Sequence, residues 1–124
     1  MEQKIVLDSD VIIDFVNGRD DGRLNHILSK PETQIFVSAI SVFELSFRTY
    51  NQKAIDQFLK KITVLNVDSD SARTSASIGI ELNKKGTPIG TPDLLIAGAC
   101  IANGCSLFTN NRVHFKRIEN LTLV

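Results

Sequence analysis

The segment Lys4–Asp14, K-I-V-L-D-S-D-V-I-I-D, constrains the fold of this chain more than any other. Ile5, Val6 and Leu7 form a short, partly β-branched apolar run of the kind buried on both faces in a parallel sheet. Asp8 stops that run. Asp8 or Ser9 then suits the cap of a helix continued by Val11, Ile12, Ile13, Phe15 and Val16. A strand that ends in a carboxylate and turns straight into a helix puts the acid on the edge where open α/β sheets bind their ligands. Read alone, Asp8 is equally well a helix cap, so its weight depends on which other acids reach the same edge.

The rest of the chain alternates strand and helix signals. After a break at Gly18–Gly22, Leu24, Ile27 and Leu28 predict a short amphipathic helix ended by Pro31. Residues 34–39 predict a second strand and 41–50 a helix. Ile55, Phe58, Leu59 and Ile62 hold the i, i+3, i+4, i+7 spacing of another helix. A third strand is expected at 63–67, then a long helix at 68–85 with Asp68, Ser69 or Asp70 as cap and Gly86 just past its end. Thr91-Pro92-Asp93 reads as a cap, an N1 proline and an acidic first turn. The helix it opens, Leu94 to Ala102, is apolar nearly all round and therefore buried. Further strands are expected at 106–109 and 121–124. The alternation predicts one domain over 1–124, with a mainly parallel sheet of about five strands and helices on both faces. Gly79 and Gly98 fall inside helices, at about 1 kcal/mol each against Ala, which close helix packing would explain.

Composition excludes several classes of function. The chain has 124 residues, enough for one core, and no apolar run approaches the roughly 20 residues of a membrane span. The first strand begins too early to leave room for a signal peptide, so a cytoplasmic protein is expected. Lys+Arg and Asp+Glu balance at 14 each, so any nucleic-acid surface must be local rather than global. Cys100 and Cys105 fit neither a redox pair nor a zinc knuckle, and Cys100 lies among Ile96, Ala97 and Ile101 as a buried structural thiol would. His26 and His114 are isolated. No His/Cys metal site and no Ser-His-Asp arrangement is evident.

What remains is acidic. A helix that leads into a parallel strand runs antiparallel to it, so its N-terminus lies at the carboxyl edge of the sheet. Asp8 ends the first strand, Glu44 is expected in the first turn after the second, and Asp93 opens the buried helix that feeds the fourth. Each also has a purely structural reading. Ser41-Val42-Phe43-Glu44 fits the S-x-x-E capping box, and Asp93 suits the positive end of a helix dipole. As caps alone, however, they would gather like charges on one edge, and two unit charges about 4 Å apart repel by roughly 4 kcal/mol at an effective dielectric of 20. A divalent cation converts that repulsion into binding, and hard oxygen ligands favour Mg²⁺ or Mn²⁺ over zinc.

On four segments the chain resembles the PIN-domain ribonucleases, specifically the VapC-type toxins of toxin–antitoxin pairs. They are I-V-L-D-S-D-V-I-I-D, I-S-V-F-E-L, P-I-G-T-P-D-L-L-I-A-G-A and L-F-T-N-N-R-V-H-F, spread over essentially the whole chain. The resemblance implies a PIN-like three-layer α/β/α sandwich and a Mg²⁺-dependent endoribonuclease that arrests translation, with Mn²⁺ able to substitute. It implies hydrolysis leaving a 5′-phosphate and a 3′-hydroxyl, a cognate antitoxin and a homodimer. Asp8, Glu44 and Asp93 match the family's main acidic positions and would hold the metal. Asn111 stands where the family often has a fourth acid, which weakens a second metal site. Asp10 stands where Asn or Ser is more usual. It is either a ligand through water or a solvated first-turn acid, and Asp14 is expected on the surface. Ser9, Thr109 and Asn110 are candidates for orienting ligands or phosphate. Arg112, with Arg48, Lys84, Lys85, Lys116 and Arg117, is the cationic surface available to RNA.

Two other readings use the same residues. The D-x-D of an aspartyl-phosphate phosphatase expects a Thr shortly after the second Asp, where this chain has Ile12 and Ile13. A catalytically inactive PIN-like module binding RNA or partners has no need of clustered acids, so the three retained carboxylates argue against it.

Overall fold

The computed structural model describes residues 3–48 and 51–124. Four strands, β1 (Gln3–Leu7), β2 (Thr33–Ser38), β3 (Thr63–Leu65) and β4 (Ser106–Phe108), form one sheet in the order β3-β2-β1-β4. Every pairing is parallel, with Leu7 opposite Val37 on one side and Phe108 on the other. The helices α1 (Ser9–Val16) and α2 (Arg23–Leu28) join β1 to β2, and α3 (Ala39–Ser46) and α4 (Gln52–Leu59) join β2 to β3. The long α5 (Ser69–Lys84) and α6 (Thr91–Ala102) carry the chain back across to β4, and α7 (Arg112–Phe115) follows it.

Successive residues of a strand face opposite sides of a sheet, and β1 shows the consequence. Ile5 and Leu7 pack with Val11, Ile12, Leu24, Leu45, Ile55 and Phe108 on one face, whereas Val6 packs with Leu82, Ile96, Cys100, Leu107 and Phe115 on the other. Ile5, Val6 and Leu7 are 1% exposed or less. Burying a side chain of this size contributes roughly 1.5–3 kcal/mol, so this tripeptide anchors both cores. The three-layer α/β/α sandwich read from the sequence is the observed architecture, and Cys100 is buried within it as expected.

Some boundaries differ from the sequence reading, each for a local reason. The helix expected at 41–50 starts earlier, because Ser38 is its cap and accepts a hydrogen bond from the Ser41 N–H at 3.0 Å. Ser41 is therefore a buried residue inside the helix, no capping box forms, and Glu44 sits in the second turn. The end of that expected helix, Thr49 and Tyr50, lies outside the described residues. Gly90 rather than Thr91 caps α6, while Asp68 caps α5 as anticipated. The stretch expected as a last strand makes a single parallel bridge, Leu107 with Leu123. Helix α7 had no sequence signal.

Candidate active site

The chain builds β1, β2 and β3 in one direction and then returns to place β4 on the far side of β1. The strand order therefore reverses between β1 and β4, and the crevice outside their carboxyl ends is where such sheets bind ligands. Asp8 and Thr109 stand one residue beyond those two strands. Thr109, fully buried, donates its hydroxyl to Asp8 Oδ2 at 2.7 Å and accepts the Asn111 N–H at 3.0 Å. The other oxygen of Asp8 accepts the Ser9 N–H at 2.8 Å, so Asp8 is the cap of α1 as well as part of this crevice. Ser9 in turn donates its hydroxyl to Glu44 Oε1 at 3.2 Å.

Glu44 comes from α3 and Asp93 from the first turn of α6. Glu44 meets Asp8 through Ser9, and the charge of Asp93 reaches both. Burial pushes the Asp8 carboxyl above its ordinary value, the Thr109 and Ser9 hydrogen bonds pull it back, and the charge of Asp93 pushes it up again. Glu44 is likewise raised, first by burial and then, against the Ser9 hydrogen bond, by Asp8 and Asp93. Asp10 is pushed up to about 6 by burial and by Asp8, and it accepts the Asn110 N–H at 3.4 Å.

Other sequence candidates divide. Asn110 donates its amide to Asp14 Oδ2 at 3.0 Å, and Asp14 is on the surface as expected, its side chain 39% exposed and 3.7 Å from Arg19. Asn111 contributes its backbone N–H to Thr109 and its side chain to His114. Arg112 is committed to the end of the chain, donating to the Val124 carbonyl at 2.7 Å. Lys85 is engaged by Glu81 and Glu119. His114, read as isolated, lies with Nδ1 3.6 Å from Asp93 Oδ2. Its one legible signal was the i, i+3 spacing from Asn111, visible only once a helix is known to start there.

The donor chemistry fits a hard divalent ion. The groups are carboxylates held by hydroxyl and N–H donors, and among the described residues no Lys or Arg pairs with Asp8, Glu44 or Asp93. Among the described residues no three His, Cys, Asp or Glu side chains close into a compact metal-holding group. These acids neighbour one another without closing into a full ligand set, so an ion held here would complete its shell with water.

Fold and edge together define an α/β domain with a carboxylate centre at the topological switch point. The PIN domain family model matches residues 5–121. The chain is 33% identical to the ribonuclease VapC2 of Rickettsia felis, over 95% of this chain and 94% of the relative. It is 26% identical to the tRNA(fMet)-specific endonuclease VapC of Salmonella typhimurium, over 97% and 96%. The structure of VapBC2 from Rickettsia felis bound to a DNA fragment from their promoter matches with a TM-score of 0.88 at 28% identity, covering 98% of each chain. This chain belongs to the PIN-domain family and, within it, to the VapC proteins.

Proposed function

We propose that this protein is a metal-dependent endoribonuclease toxin, with Asp8, Glu44 and Asp93 holding Mg²⁺, or Mn²⁺ in its place. The observation that carries the reading is geometric: Ser9 ties Asp8 to Glu44, giving its N–H to Asp8 Oδ1 and its hydroxyl to Glu44 Oε1, on the same edge of the sheet where Asp93 opens α6. The charge of Asp93 adds to the upward push on both groups. Family membership and relatives named as ribonucleases support the RNA phosphodiester as substrate. The Salmonella relative's name supports tRNA as the class to test first.

Asp8, Glu44 and Asp93 would hold the ion, which would supply Lewis-acid polarisation of the phosphoryl oxygen and a lowered pKa for the attacking water. The protein's own part is orientation. The relay from the Asn111 N–H through the Thr109 hydroxyl fixes Asp8 Oδ2, and Ser9 fixes Asp8 Oδ1 through its N–H and Glu44 Oε1 through its hydroxyl. Asp8 and Glu44 are thus prevented from rotating away under mutual repulsion. Asn111 acts in this reading through its backbone N–H and amide rather than as a fourth acid.

The neighbouring structures are toxin–antitoxin complexes, which supports a cognate antitoxin as partner. A homodimer belongs to the same reading. The exposed rings of Phe43 and Phe47, 64% and 78% accessible, one turn apart on α3, support it, and sedimentation tests it. Among the described residues no helix is long and apolar enough to cross a membrane. The cytoplasm is the compartment in which an RNA substrate would be met. The decisive experiment is cleavage of unfractionated tRNA by purified protein with Mg²⁺, with Mn²⁺ and with EDTA. Cleavage that ceases in EDTA is the expected result. Undiminished cleavage in EDTA refutes the carboxylate–metal reading, and no cleavage with either metal favours the inactive binding module.

A further inference from the structure

Helix α7 brings His114 to the rim of the acid edge, where Nδ1 lies 3.6 Å from Asp93 Oδ2. That separation is too long for a hydrogen bond. The short contact is with Asn111, whose Nδ2 sits 2.9 Å from His114 Nδ1. With the Asn111 amide nitrogen as the donor, Nδ1 accepts, and the ring's N–H is then on Nε2. Nδ1 is taken up with Asn111 and Asp93, so Nε2 is the ring nitrogen left to meet a ligand, on a side chain that is 46% exposed. The result is an oriented donor beside a group of carboxylates. It suits a ligand that brings acceptor oxygens, and RNA offers two non-bridging phosphate oxygens at every nucleotide.

Resting on the ribonuclease reading of the site, we infer that His114 contacts the substrate. Its Nε2–H donates to a non-bridging phosphate oxygen of the RNA beside the bond that is cut, and Asn111 is the positioning residue that fixes the ring's tautomer. Phosphate contacts set register and orientation rather than sequence preference. The contribution of His114 therefore falls mainly on binding, and only weakly on the rate once RNA is seated.

Two near-isosteres separate this role from its alternatives. In His114→Gln the amide nitrogen replaces Nε2, whereas in His114→Asn it replaces Nδ1. The steady-state parameters for Mg²⁺-dependent cleavage of unfractionated tRNA, and the affinity for fluorescein-labelled tRNA by anisotropy in EDTA, are measured for these variants and for His114→Ala. Loss of one hydrogen bond to a charged group corresponds to about a tenfold change. The expected pattern is a roughly tenfold rise in KM and Kd for the Ala and Asn variants, little change in kcat, and near wild-type values for Gln. Rescue by Asn but not by Gln means that the ring works through Nδ1 on Asp93, and overturns the inference. So does wild-type KM and Kd in all three variants. If the wild type cleaves no tRNA in a metal-dependent way, it is the ribonuclease reading that fails, and the affinity arm still decides whether His114 touches RNA.

Discussion

At the scale of the residue, Asp8 and Asp93 separate by how tightly the fold holds them. Asp8 is 6% exposed and uses both oxygens, whereas the Asp93 side chain is 25% exposed and lies 3.6 Å from His114 Nδ1. Asp93→Asn preserves shape at the mouth of the site and removes at most a helix-end charge worth about 1 kcal/mol. We expect near-normal folding by urea titration and a fall in cleavage of more than about a hundredfold. Residual activity that tracks only the folded fraction would make Asp93 structural. Asp10 gives a pH test. Its folded pKa, about 6, lies above the ordinary 3.8, so the folded protein binds this proton more tightly than the unfolded chain. The stability it contributes is present at low pH and lost as pH rises through about 6. Asp21 and Asp68 are lowered, chiefly by the backbone hydrogen bonds of Arg23 and Ser71, and work in the opposite sense, losing stability as pH falls. The informative quantity is therefore a difference. In EDTA, the melting temperature of Asp10→Asn relative to wild type should rise as pH goes from about 4 to about 7. A difference independent of pH would show that Asp10 is not perturbed.

At the scale of the element, α5 and α6 run antiparallel in close contact, with Gly98 against Ser71 and Ser75 and Gly79 against Leu94. The two glycines, alike in sequence, differ in kind. A Cβ on Gly98 would lie 1.9 Å from Ser75 Oγ and 2.7 Å from the Ser71 carbonyl oxygen and the Ser75 nitrogen, and backbone atoms cannot step aside. Gly98→Ala should force the helices apart at a cost of about 1–3 kcal/mol or more. It should also weaken cleavage, since α6 carries Asp93. At Gly79 the nearest atom is Leu94 Cδ1 at 3.1 Å, the tip of a flexible side chain. Gly79→Ala gains about 1 kcal/mol of helix propensity, which offsets the crowding and leaves it near neutral. Equal destabilisation of both variants in chemical denaturation would contradict this account of the packing.

At the scale of the whole molecule, the acids repel unless something neutralises them, which links stability to metal. Mg²⁺ should raise the melting temperature of the wild type by binding the native state, and raise that of Asp93→Asn much less at matched ionic strength. Equal shifts would mean that the ion binds elsewhere. The sequence alone determined the layers of this molecule, because strand and helix periodicities are local. Ile5-Val6-Leu7 reads as a strand buried on both faces, Leu94–Ala102 as an enclosed helix, and their alternation as a parallel sheet with Asp8 at its carboxyl edge. It also supplied the acids. What it left undecided was contact between residues far apart in the chain. Thr109 reaches Asp8 across 101 residues, and no periodicity encodes that bond. Local pattern puts the helix cap at Ser41, but the pairing of β2 ends with Ser38 opposite Leu65, so Ser38 is both the last strand residue and the cap of α3. His114 looks solitary until Phe115, buried against Val6 and Leu107, winds α7 down onto the sheet. Local pattern sets which face each element buries, and only the closing of the sheet, β4 beside β1, decides which polar groups then meet at its edge.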